Sequence, residues 1–171
     1  MKFKTLTSLL ALTMVLTLTA CGGSSGGNGS NNNTDAGSAN VDLTAFVNDL
    51  ASKHGENFAA DADVVEAGMV NDFYPGLGDI STKQLIALQP NMSAVVCEIV
   101  LVEVTDAADV NAVKDILQAR IDAQVNGGAW YPASIEGWEK NSRIAVNGNY
   151  VMMIAWEFCD DAVNSFNALF A

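Results

Sequence analysis

Residues 94–104 constrain the fold of this chain more than any other stretch. Val95, Val96, Ile99, Val100, Leu101, Val102 and Val104 put β-branched and aliphatic side chains at both odd and even positions. Successive side chains on a strand point to opposite faces. A strand that is apolar at both parities is therefore covered on both faces and belongs inside a sheet. Glu98 breaks the run. A carboxylate is costly to bury alone, so Glu98 either faces solvent at a strand end or meets an arginine.

The next segment supplies such an arginine. Asp106 is placed to cap a long helix over residues 107–125, and Asp109 puts a negative charge in its first turn, where the helix dipole favours it. Val110, Val113, Leu117, Ile121 and Gln124 form the core-facing stripe, with Arg120 beside it. Glu98 and Arg120 are both charges flanking apolar faces, and this predicts an ion pair between them. Asn126, Gly127 and Gly128 stop the helix.

The remaining elements follow from caps and turns. Asn40 or Asp42 caps a helix that ends at His54, with Phe46, Val47 and Leu50 on its apolar face and Gly55 as its stop. Residues 61–66 hold three acids without the spacing of a calcium loop, and read as a solvated helix start. Residues 82–89 form a short apolar segment, strand or helical turn. Pro132 opens a short helix through Ile135 and Trp138 to Lys140. Residues 143–146 and 150–158 pair as a hairpin across Asn147, Gly148 and Asn149, since Asn-Gly between apolar runs is a strong hairpin signal. Asp160 and Asp161 cap a last helix carrying Val163, Phe166, Leu169 and Phe170. The expected fold class is α+β: an antiparallel sheet of three to four strands with helices packed mainly on one face.

The N-terminus speaks to location. Lys2 and Lys4 precede an apolar run from Leu6 to Leu18, and Leu18-Thr19-Ala20-Cys21 reads as a lipobox. Small side chains suit a signal peptidase, and the cysteine that follows takes the lipid. The run is shorter than the roughly 20 residues of a comfortable membrane span. Residues 1–20 are thus expected to be a lipoprotein signal peptide, with Cys21 as the lipid attachment site. At least two acyl chains, palmitate among them, would give stable anchoring. Residues 21–40 are the lipidated cysteine and a Gly/Ser/Asn-rich tether, which as a flexible coil spans on the order of 25 Å. Residues 41–171 form a single domain. The expected location is the extracytoplasmic face of the cell membrane.

Charge excludes one class of partner. Without Lys2 and Lys4, six basic residues face 20 acidic ones, a formal charge of −14. Nucleic acid requires a basic footprint and is not an expected partner. The other two cysteines, Cys97 and Cys159, lie in or beside strand-like segments. A disulfide between them requires those segments to be neighbours; two buried thiols are the alternative. No Cys or His spacing matches a metal site, and no cofactor motif is present.

Several motifs in fixed order carry a resemblance. Tyr74-Pro75-Gly76 precedes Glu98-Ile99 at the head of the Val-rich strand. Asp109-Val110 opens the long helix that holds Arg120 and Gln124. Tyr131-Pro132 and then Asn147-Gly148-Asn149-Tyr150-Val151 follow. Over residues 74–170 the chain resembles a family of bacterial lipoproteins, mostly Gram-positive, with a domain of unknown function of the DUF4358 type. The resemblance implies a lipid-anchored envelope protein and carries no activity.

Catalytic patterns are sparse. There is no nucleophile elbow, phosphate-binding loop or dinucleotide fingerprint. His54, the single histidine, lies in a terminal helix away from any nucleophile motif. Trp130, Tyr131 and Trp138, with Tyr150 and Trp156, offer flat apolar area with polar tips and could line a ligand groove. The competing reading is that they plug the seam between the short helix and the sheet. The sequence therefore points to a non-catalytic binding or accessory domain that meets an unknown protein or small ligand and the membrane through Cys21. The alternatives are an envelope hydrolase using paired carboxylates and a structural or assembly subunit.

Overall fold

A computed structural model describes residues 40–55 and 62–171. The expected signal peptide, Cys21 and all of the tether except Asn40 lie outside these residues. The sheet is antiparallel throughout, with strands in the spatial order β1 (Ala62–Val64), β2 (Thr82–Pro90), β3 (Glu98–Val104), β5 (Tyr150–Ala155) and β4 (Ser142–Asn147). Every residue of β3 and of β5 is buried. β3 is the middle strand, as its apolar residues at both parities require.

The two parities pack against different helices. Ile99 and Leu101 of β3, with Met152 and Ile154 of β5, face one layer: α1 (Leu43–His54) and α5 (Cys159–Ala168). Val100, Val102 and Val104, with Val151 and Met153, face the other: α2 (Val70–Phe73), α3 (Val110–Ala123) and α4 (Pro132–Asn141). The fold is α+β as expected, with two corrections. Among the described residues the sheet has five strands rather than three to four, and helices cover both faces rather than mainly one. The second correction follows from β3 itself: a bare face would leave Val100, Val102, Val151 and Met153 in water, at about 1.5–3 kcal/mol per fully buried side chain. The additional strand is β1, where residues 62–64 pair with Leu88–Pro90 instead of starting a helix. It is three residues long and mostly exposed, so no apolar alternation marks it.

Local chemistry fixes the ends of the elements. The Asp42 carboxylate accepts hydrogen bonds from the Thr44 and Ala45 amides at 2.9 and 3.0 Å and starts α1. Gly127, at φ +112°, ends the turn after α3 in the left-handed region that other residues avoid. The hairpin closes with Asn147 opposite Tyr150, so its turn is Gly148 and Asn149, with Gly148 at φ +53°. β5 stops at Ala155, three residues short of the expected end, and α5 begins at Cys159. Asp160 and Asp161 occupy the first turn of α5 without capping it through their side chains.

His54 has a structural place. Its Nε2 lies 2.9 Å from Asp161, and Lys53 reaches the same carboxylate at 2.8 Å. Its ring meets Trp156 edge-on and stacks on Phe158. These contacts join the C-terminal end of α1 to the N-terminal end of α5, where a cation at one end and a carboxylate at the other suit both dipoles. The Lys53 hydrogen bond holds the Asp161 carboxyl below its ordinary range against the opposing effect of burial.

Candidate functional site

The strongest polar feature lies where β3 begins. Glu98 points toward the layer of α3 and α4, and its side chain is only 1 % exposed. Arg120 of α3 meets it in a two-point grip, Nε to Oε1 at 3.0 Å and Nη2 to Oε2 at 2.8 Å. The Tyr74 hydroxyl donates to Oε1 at 2.9 Å and accepts from Gln89 Nε2 at 3.1 Å. Aromatic rings flank the guanidinium: its central carbon is 5.7 Å from the centroids of both Tyr74 and Trp138. Glu98 and Arg120 thus meet as their sequence positions suggested, on a surface with aromatic walls.

The electrostatics reinforce the geometry. Burial and then the Glu98 charge push the Tyr74 phenol far above its ordinary pKa, so it remains a proton donor to the carboxylate. For Arg120, burial alone would favour loss of the proton. The hydrogen bonds and charge of Glu98 outweigh it and raise the pKa. The cluster holds one negative and one positive charge, mutually neutralised.

This cluster forms the base of a cleft of about 310 Å³ between the end of β2 and the turn after α3. Gln89, Asn91, Gln124 and Trp138 line it as well. Arg120 is 18 % exposed here. Two of its five N–H groups go to Glu98, leaving three directed elsewhere in the guanidinium plane.

The other sequence candidates separate. Trp138 is buried and packs on Arg120, whereas Trp130 is 86 % exposed and Tyr131 52 % exposed. The three aromatic residues do not form one surface. Neither extreme reading of them holds, because Pro132 turns the chain between the outer two and the helix that carries the third. Cys97 and Cys159 are both buried as thiols, and the disulfide weighed between them is not formed. Burial raises the pKa of the Cys159 thiol, which opposes thiolate chemistry. Among the described residues no group of three or more His, Cys, Asp or Glu is placed to hold a metal, and no helix is long and apolar enough to cross a membrane.

Tyr74 and Gln89 carry no sequence signal for this site. Tyr74 lies in a turn, Gln89 near a strand end, and only the tertiary fold unites them. Gln124, assigned by its spacing to the core stripe of α3, instead lines the cleft.

A two-layered helical cover over an open antiparallel sheet, with an ion pair under a cleft, defines a small α+β domain. Residues 60–156, more than half the chain, match the family described as a domain of unknown function, DUF4358, and the chain belongs to that family. No curated protein and no solved structure matches it.

Proposed function

We propose that this is a lipid-anchored extracytoplasmic protein whose domain binds a ligand or partner without transforming it. The observation that carries the binding reading is Arg120 at the base of the cleft: oriented by Glu98 and two aromatic rings, and still open to solvent on one side. Restricting a guanidinium in this way lowers the entropic cost of using it for recognition. The Glu98 carboxylate accepts three hydrogen bonds from Arg120 and Tyr74, which favours a positioning role over general acid–base chemistry. The lipobox ending at Cys21 supports the anchoring, and the acidic composition argues against nucleic acid as partner.

Two measurements test this reading. Cells are fed an alkyne-tagged fatty acid and fractionated: the parent protein is expected to be labelled and held in the membrane, and Cys21→Ala to be unlabelled and released or unprocessed. Equal membrane retention at unchanged mature size would refute the anchor. For binding, Ser93→Trp fills the cleft from its exposed rim. Solubilised envelope extract is expected to raise the melting temperature of the parent and not that of Ser93→Trp; an equal shift in both places the binding elsewhere.

A further inference from the structure

The cleft over Arg120 does not stand alone. It shares Gln89 and Asn91 with a second depression of about 340 Å³ beside β1. The second shares Phe73 with a third, of about 500 Å³, along α3, and the third returns to Arg120. Linked through these shared lining residues, the three depressions make up a furrow, two parts of which Arg120 lines.

The furrow has a consistent chemistry. Val64, Met69, Phe73 and Ile116 give it apolar ground, with Val64 and Met69 among the exposed large hydrophobic residues. Asp63, Glu66, Asp72 and Asp115 line it as well. Among the described residues none of these four carboxylates is ion-paired. Arg120 is the one cation among the described lining residues, and Glu98 already neutralises it.

We propose that the furrow takes an extended, lysine- or arginine-bearing peptide segment of a partner protein. The proposal rests on the binding reading above and names its partner class. An extended chain offers alternating side chains and a row of amides. The amides of Gln89, Asn91 and Gln124 can both donate to and accept from such a backbone, and Arg120 can donate to a carbonyl. Apolar side chains fit the ground between Val64 and Ile116. Basic ones meet the four acids, an electrostatic match that also speeds encounter. An anionic ligand would face four like charges, and a neutral glycan would leave them unused.

The test uses the full-length protein in non-ionic detergent and three dye-labelled probes. These are an end-blocked heptapeptide alternating lysine and leucine, its glutamate counterpart, and an N-acetylglucosamine hexamer. Fluorescence anisotropy is expected to show binding of the lysine peptide alone, weakening as salt shortens the range of charge interactions. Asp72→Asn/Asp115→Asn is expected to weaken it roughly five- to tenfold, given the modest worth of each exposed pair. The charge-matched Asp49→Asn/Glu157→Gln, outside the furrow, is expected to change it less than about twofold. Equal weakening by the two double variants would reduce the effect to net charge and overturn the proposal. So would binding of the glutamate peptide or absence of lysine-peptide binding. Binding of the hexamer alone also overturns it, while leaving the cleft as a binding site.

Discussion

Two carboxylates lie near opposite ends of the same strand and make instructive opposites. Glu98 and Glu103 are five positions apart on β3, about 17 Å at strand rise, and their odd spacing sends them to opposite faces. Both are buried. Glu98 meets one arginine and a phenol beneath an open cleft. Glu103 meets Lys83 at 3.0 Å and Gln84 at 2.7 Å. The same Gln84 amide holds the chain as it reaches α1, donating to the Val41 carbonyl at 2.7 Å and accepting from the Leu43 amide at 3.0 Å. A register shift between Thr82 and Gln84 brings both Lys83 and Gln84 to bear on Glu103. The Glu103 end is bound up with the chain's own fastening. The Glu98 end keeps a charged group accessible. The contrast shows that burying a carboxylate does not by itself mark a functional site; what its partner is left free to touch does.

The contrast can be broken most forcefully at Arg120. Arg120→Met strands the Glu98 carboxylate and is expected to cost about 3–5 kcal/mol in urea unfolding. Adding Glu98→Gln should recover much of that loss; simple additivity would mean the pair is not coupled. Gln84→Ala removes three hydrogen bonds at the other end and is expected to cost about 1–3 kcal/mol. Its hydrogen exchange should quicken in the first turn of α1 while the amides around the cleft stay as they were. A change at the cleft would show that the two ends are not independent.

Smaller effects sharpen the comparison. Burial works to raise the Glu103 pKa, but hydrogen bonds from Gln84, Lys83 and Tyr150 outweigh it and hold the carboxyl below its ordinary value of 4.5. A carboxyl lowered by folding contributes stability above its unfolded pKa and loses that contribution as pH falls through the folded value. Thermal melts of Glu103→Gln should therefore lose less stability than the parent as pH falls below about 4.5. Lys83→Ala removes a half-exposed partner and should cost about 0–1 kcal/mol. A larger loss would mean that Lys83, more than Gln84, secures Glu103.

How much of this was legible in the sequence depended on whether a feature had a local cause. β3 announced itself because apolar residues at both parities have one explanation. The Asp42 cap, the Gly127 stop and the Asn147–Asn149 turn were readable because each is specified within a few residues. The meeting of Glu98 and Arg120 was inferable because each charge flanks an apolar face. β1 was not readable: Ala62, Asp63 and Val64 form a short edge strand whose exposed residues need no alternation. The two-faced helical cover was implied by β3, yet nothing in the stripes of α1, α3 and α5 says which face each covers. Nor does spacing separate Trp130 from Trp138, since burial there depends on how the chain turns before α4. Tyr74 and Gln89 reach the cluster only through the packing of a turn against the sheet.

The Gln84 clasp has a mechanical consequence. A pull applied at Asn40 would reach Val41 and Leu43 next, both held by the one Gln84 side chain. Gln84 is in turn fastened to Glu103 on the central strand. A pull from that end is thus handed to the sheet before it can peel α1 away, as strain relief does for a cable at its socket. Such a load would arrive at the Glu103 end of β3, a strand's length from Arg120, and the cleft would keep its shape under it.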